Sequence, residues 1–253
     1  MANRSLRELG DLSGRRALVA GGGGHLGRAC VDALAELGAE TVVADVQHDG
    51  DSIVADLALE EDARRAVREA RERLGGLDVL VHCAALVGSD ERPGWAVPFE
   101  EQTVEAWEAA LRVNLTSVFV LVHEAREALA ASGHGAVVVF GSIYGVVGPD
   151  PGLYDGTAMA NPTAYGASKG GLLQLVRYLA TTLAPRVRVN AISPGGVERG
   201  QPAAFRERYH ARTPLGRMAT EEDVKGAVAF LASDLSAYVT GHNLVVDGGW
   251  TAW

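Results

Sequence analysis

A chain of 253 residues, 47% of them hydrophobic, is long enough to bury the core of one α/β domain. Its formal net charge of −9 excludes a general phosphate-backbone binder, so nucleic acid is not an expected partner. The two cysteines, Cys30 and Cys83, fall in apolar patterns without CxxC or Cys/His spacing, which gives neither a disulfide framework nor a metal site and suits a reduced, cytoplasmic protein.

From the start of the chain, MANRSLRELGDLSGRR carries charge where a signal peptide needs an apolar stretch, and no later apolar run approaches a bilayer span; no membrane role is expected. Short Val-rich runs then alternate with longer Ala/Leu/Arg/Glu stretches of helical period. Strands are predicted at 15–21, 41–46, 51–56, 77–84, 135–142, 186–193 and 243–249. Helices are predicted at 25–37, 60–74, 103–131, 163–183 and 221–233. Near-continuous apolar strands suit a parallel sheet covered on both faces. The pattern predicts a single doubly wound, Rossmann-type domain with seven parallel strands.

The first strand runs into AGGGGHLGRAC, a glycine-rich turn opening a helix, where free backbone amides can hold a pyrophosphate. Asp45 ends the second strand 24 residues after Gly21, near the offset at which an acidic side chain takes the adenosine ribose hydroxyls. A carboxylate there repels a 2′-phosphate, and Val46 supplies no cation to accept one, so NAD is favoured over NADP. Further along, Tyr165 and Lys169 are i and i+4 on a predicted helix and share a face, which singles out Tyr165 from Tyr144 and Tyr154 as a candidate acid/base. A nearby ammonium together with a positive nicotinamide ring is expected to favour the phenolate.

These motifs, in this order, resemble the short-chain dehydrogenase/reductase family over essentially the whole chain. The family's T-G-x-x-x-G-x-G stands as Ala20, Gly21, Gly22, Gly23, Gly24, His25, Leu26 and Gly27, with His25 in place of its middle glycine. The acidic-apolar adenine contact stands as Asp56 and Leu57; N-N-A-G as His82, Cys83, Ala84 and Ala85; and the later P-G as Pro194 and Gly195, with Val197 just beyond. His82 and Cys83 put the central-sheet hydrogen bonds in question. The resemblance implies a catalytic set of Asn114, Ser142, Tyr165 and Lys169. Ser142 would bond the reacting oxygen, Lys169 would bind the nicotinamide ribose, and Asn114 would hold a water linking Lys169 to solvent. It also implies a homotetramer, or a dimer, built on the two long helices. The Trp-rich end VVDGGWTAW is expected to be buried against a neighbouring subunit.

Two stretches narrow the reading. The spacing from Ser142 to Tyr165 is long for the family and predicts an insertion at about 145–161 beside the site, with Tyr144 a substrate contact and Tyr154 packing within the loop. A lid at about 196–218 carries Arg199, Arg206, Arg208, Arg212 and Arg217 against Glu198 and Glu207. Arg208 and Arg212, one turn apart, are the candidates for clasping a substrate phosphate or carboxylate, with Arg206 left to solvent. The stretch SIYGVVGPDPGLYDGTAM and the tail RYHARTPLGRM…SAYVTGHNLVVDGGWTAW resemble the sugar-oxidoreductase branch associated with nonulosonate biosynthesis and flagellin modification. The expected activity is NAD-dependent hydride transfer on a sugar or activated sugar. The alternatives are a reductase of another class, such as 3-oxoacyl thioesters, and a non-catalytic cofactor-binding scaffold.

Overall fold

A computed structural model describes residues 4–47, 50–87 and 92–253. In chain order the elements are α1 (Leu6–Gly10), β1 (Arg16–Ala20), α2 (His25–Glu36), β2 (Glu40–Asp45), β3 (Ile53–Val54), α3 (Glu60–Leu74), β4 (Val79–His82), α4 (Val104–Leu111), α5 (Ser117–Ala131), β5 (Gly135–Phe140), α6 (Thr163–Leu183), β6 (Val187–Pro194), α7 (Ala203–Arg212), α8 (Glu222–Ala232) and β7 (Asn243–Val246). All seven strands pair in parallel, in the order β3-β2-β1-β4-β5-β6-β7. The order reverses between β1 and β4, and a crevice opens there at the carboxyl ends of the strands.

Two apolar layers sandwich the sheet. On one face α3, α5 and α6 bury Val67, Leu121 and Leu172 against alternate strand residues such as Leu18, Leu80 and Val137. On the other, α2 and α8 bury Leu34 and Val228 against Val19, Val81 and Val138. The central strands are apolar on both sides because both sides are covered. His82 does not disturb this arrangement: it pairs in register with Ala20 of β1 and Val139 of β5.

The expected single helix over 103–131 is two helices joined by a π turn, Arg112–Thr116, which carries Asn114. The lid contains a helix of its own, α7. Trp250 corrects the reading of the C-terminal aromatics. It is 2% exposed and buried within its own chain, edge-on to Tyr144 and stacked on Tyr209, whereas Trp253 is exposed.

The turn after β1 is built from backbone packed directly on backbone. Gly21 has φ +80°, and a Cβ there would lie 2.3 Å from the Ala84 amide nitrogen; a Cβ on Gly27 would lie 2.1 Å from the Gly21 carbonyl oxygen. Side chains are excluded at both positions, so the start of α2 closes down on the ends of β1 and β4. Gly226, on the exposed side of α8, has nothing within 4 Å of a built Cβ. Gly27→Ala is therefore expected to cost about 1–3 kcal/mol in urea unfolding, by forcing the turn apart. Gly226→Ala is expected to add about 0.5–1 kcal/mol, by relieving glycine's helix penalty. Equal effects at the two sites would refute this packing argument.

Candidate active site

A cleft of about 1090 Å3 runs along the carboxyl ends of the strands. One end is formed by the glycine turn, with Gly21, Gly24, His25, Leu26 and Gly27 lining it beside Asp45. No side chain caps the N-terminus of α2, so its first-turn amides are left available to an anion. The Asp45 carboxylate accepts from the Gly23 amide at 3.0 Å and the Gln47 amide at 3.2 Å, which fixes it at this end. Ala84, Ala85, Pro194, Gly195 and Val197 line the middle. Val46 is 60% exposed; Asp56 is exposed and accepts from the Ala58 amide, while Leu57 turns into the core. These last three do not line the cleft, contrary to the expectation drawn from the resemblance.

Ser142, just past β5, and Tyr165, in the first turn of α6, both line the opposite end. The Ser142 hydroxyl accepts from the Tyr144 amide at 3.1 Å. Burial raises the Tyr165 phenol above its ordinary pKa, and the neighbouring Ser142 hydroxyl draws it part of the way back. Lys169, one turn further along α6, is 2% exposed and donates from Nζ to the Phe140 carbonyl at 2.6 Å. Its Nζ is 5.7 Å from the centre of the Tyr165 ring. Burial pushes the Lys169 pKa down to about 8. Both groups are buried, and desolvation disfavours the charged form of each.

Asn114 is fully buried. Its Oδ1 accepts from the Leu86 amide at 2.7 Å, and its Nδ2 donates to the Leu86 carbonyl at 3.4 Å and to Ser168 Oγ at 3.0 Å. Both amide hydrogens are taken. Ser168 in turn donates to the Tyr165 carbonyl at 2.8 Å, tying the π turn to the turn of α6 that bears the tyrosine. His82 reaches the same region: its Nε2 is 2.8 Å from Ser117 Oγ, which donates to the Val113 carbonyl at 2.6 Å. Burial depresses His82 to about 3, leaving it neutral. The Cys83 thiol lies 3.5 Å from that of Cys30, and burial pushes it up.

The insertion and the lid close the cleft from above. Tyr144 and Tyr154 both line it, with their hydroxyls 2.9 Å apart; Tyr154 thus faces the site instead of packing only within its loop. Phe205 and Tyr209, one turn apart on α7, point the same way. Arg208 and Arg212 stand on the same stripe of that helix, beside Phe205 and Tyr209, but do not line the cleft. Arg208 donates to the carbonyls of Leu153 and Asp155 at 3.1 and 2.6 Å; Arg212 pairs with Asp150 and lies 4.8 Å over the Trp250 ring. They share a face, as their spacing requires, but that face holds the insertion and not a substrate anion. Arg206 pairs with Glu198 at 2.7 Å. The readable signal for the inward side was the Phe205/Tyr209 pair, an i, i+4 aromatic repeat flanked by the two arginines on the same stripe.

The buried ammonium has a thermodynamic signature. From about pH 8 up to the ordinary lysine value of 10.5, the unfolded chain binds more protons than the folded one at Lys169, so this residue's contribution to stability rises with pH. Cys83 and Tyr165, both raised, act in the opposite sense at high pH. The difference in unfolding free energy between wild type and Lys169→Met cancels those terms. It is expected to increase by up to about 3 kcal/mol across the window; a flat difference would show that Lys169 carries no buried charge.

Known proteins share this architecture and its ordering of motifs. A family model described as enoyl-(acyl carrier protein) reductase matches residues 23–251. The chain is 35% identical to cis-4-hydroxycyclohexanecarboxylate dehydrogenase of Sinomonas cyclohexanicum, covering 94% of this chain and 97% of that one. It is 33% identical to a protein named as a probable galactose dehydrogenase of Rhizobium meliloti (strain 1021), covering 94% and 96%. The structure of a short-chain dehydrogenase from Leptospira borgpetersenii serovar Hardjo-bovis with bound NAD+ superposes with a TM-score of 0.87 at 31% identity, covering 99% of this chain and 97% of that one. With a family model matched over most of the chain and relatives above 30% identity over more than nine-tenths of both chains, the chain belongs to the short-chain dehydrogenase/reductase family of oxidoreductases.

Proposed function

We propose that this protein interconverts a secondary alcohol and a ketone on a ring-shaped substrate, using NAD and Tyr165 as the proton-transfer group. The observation that carries the reading is the convergence of Ser142, Tyr165 and Lys169 at one end of a cleft whose other end holds the uncapped start of α2 and Asp45. The cleft is large enough for a dinucleotide and a small ring together. The carboxylate at the far end meets a ribose diol favourably and a 2′-phosphate unfavourably, which supports NAD. When bound, the nicotinamide supplies the hydride acceptor or donor and, in its oxidised form, a positive charge beside Tyr165.

The chain's own groups account for the proton. A neutral, buried phenol at Tyr165 is set to protonate a carbonyl oxygen in the reductive direction and to receive the hydroxyl proton in the other. Ser142 accepts from a backbone amide and bonds the Tyr165 phenol, so its hydroxyl stands where it can turn to the reacting oxygen when one enters. Lys169 uses one of its three hydrogens on Phe140, leaving two for a ribose hydroxyl and for polarising Tyr165. Asn114 acts by position, holding Leu86 and Ser168 and through Ser168 the backbone of Tyr165. Retention of both Tyr165 and Lys169 favours an enzyme over a scaffold, and Asp45 fits poorly with an NADPH-linked thioester reductase.

The relatives named above act on six-membered rings, one carbocyclic and one a sugar, which supports a ring substrate. They lend the nonulosonate branch no support beyond the sugar dehydrogenase. Among the described residues no helix is long and apolar enough to cross a membrane. We place the protein in the cytoplasm, in keeping with its two free thiols.

Purified protein and NAD with ring alcohols, following NADH absorbance, test the reading. Tyr165→Phe is expected to lower turnover by about two to four orders of magnitude while NAD affinity is kept. NAD is expected to bind at least about tenfold tighter than NADP, with Asp45→Ala closing the gap mainly by weakening NAD. Full activity in Tyr165→Phe, or equal binding of the two cofactors, would overturn the corresponding half.

For assembly we propose a homotetramer. Phe119 on α5 and Tyr178 on α6 stand 50% and 64% exposed, and Val104 on α4 67%, which gives these helices an apolar outer face. Light scattering at micromolar concentration is expected to exceed the 26.5 kDa of one chain about fourfold; a stable monomer would refute it.

A further inference from the structure

The two tyrosines of the insertion form a polar device that the proton-transfer machinery does not use. Their hydroxyls are 2.9 Å apart, and neither has another hydrogen-bond partner among the described residues. Two phenols bring two hydrogens; one closes the pair, and the other is left over, together with unused lone pairs on both oxygens. Burial pushes both tyrosines above the ordinary phenol value, so the pair stays neutral. Both tyrosines line the same cleft as Tyr165.

The rings that carry these hydroxyls are held in place. Tyr144 meets Trp250 edge-on at 6.2 Å; Tyr154 meets Phe205 at 5.4 Å; and Phe205 continues through Tyr209 to Trp250. Ile143, Met159 and Met218 complete an apolar lining. Two charged side chains line the cleft among the described residues, and both belong to the other end. Asp45 is on the glycine turn, and Arg199 pairs at 2.6 Å with Glu221, whose carboxylate lies 3.8 Å from His25 of that turn. The remaining lid arginines are engaged outside the cleft.

We infer that the substrate is an uncharged six-membered ring bearing a second oxygen besides the one that reacts, and that the Tyr144–Tyr154 hydroxyl pair binds this second oxygen. The inference rests on the oxidoreductase reading above and adds to it a substrate class and two specificity-determining residues. An anionic substituent at the tyrosine pair is disfavoured, because the aromatic and apolar lining around that pair offers no cation of its own, Lys169 lying beyond Tyr165 at the reacting end. A ring alcohol with a single oxygen would leave the spare phenolic hydrogen without a partner inside the closed complex. A cyclohexanediol and a neutral hexose both have the required chemistry.

Four substrates separate the possibilities: cyclohexanol, cyclohexane-1,4-diol, D-galactose and 4-hydroxycyclohexanecarboxylate, each assayed with NAD and wild type, Tyr144→Phe and Tyr154→Phe. Wild type is expected to prefer the diol or the hexose over both cyclohexanol and the carboxylate, and whichever is higher identifies a carbocycle or a sugar as the source. Each Phe variant is expected to reduce that preference about three- to tenfold, through KM and not kcat. Equal use of cyclohexanol and diol, preference for the carboxylate, or a preference that survives both variants would overturn the inference while leaving the oxidoreductase reading intact. Calorimetric binding of the preferred ring to Tyr165→Phe loaded with NADH, with and without Tyr154→Phe, separates recognition from chemistry. Tyr154-dependent binding without turnover of any alcohol by wild type would uphold the ring site and sink the activity; absence of both would overturn both.

Discussion

A lysine buried to 2% exposure is the constraint around which the reactive end is assembled. An ammonium removed from water has to find an acceptor, and Lys169 finds the carbonyl of Phe140, the last residue of β5. That bond ties α6 to the strand leading into Ser142. Gly145 then seats the following turn on the Lys169 backbone, where a Cβ would come within 2.8 Å of its carbonyl carbon. Tyr165, one helical turn earlier, is delivered beside Ser142 as a consequence. The hydrogen bond that a buried ammonium requires thus also holds Ser142 and Tyr165 in register.

The rest of the site is a separation of charge from neutrality. At the glycine turn the protein presents backbone amides, a carboxylate and a neutralised arginine; at the opposite end it presents phenols, thioethers and aromatic rings. His82 fits the same division. It occupies a fully buried position at the tip of β4, stays neutral because burial forbids its charge, and spends its Nε2 on Ser117. The arginines of α7 are not an exception. Their charge is consumed by Asp150 and by loop carbonyls, which join the insertion and the lid helix into one cover.

Much of this was legible before any coordinates. The strands, the glycine turn, Asp45 and the Tyr165/Lys169 spacing follow from periodicities that act over a few residues, and α3 and α6 keep their expected limits. What was illegible depends on partners distant in the chain. Helical spacing correctly put Arg208 and Arg212 on one face, yet it carries no information about whether that face meets a substrate or residues 150–155. The fate of Trp250 was hidden for the same reason, since a terminal tryptophan reads alike whether it packs on a neighbouring subunit or on its own Tyr209. Desolvation was the third blind spot: the i, i+4 pair predicts an ammonium near a phenol, but only burial decides which of the two forms charge can survive.

The π turn at Arg112–Thr116 places its own kind of demand on the sequence. Each residue of an α-helix advances the chain by about 100°, and a π turn accommodates one residue more than the regular ladder does. That single extra residue lets α4 direct Ala106 and Ala110 toward Trp95 and Ala164 while α5 directs Leu121 and Ala125 toward the sheet. Removing one residue anywhere in the turn would restore a regular helix and swing α4 by roughly a quarter of a revolution. Its small apolar face would leave α6, and Asn114 would lose its aim at Leu86 and Ser168 in the same motion. This segment is therefore a counted spacer, in which the number of residues matters as well as the identity of Asn114.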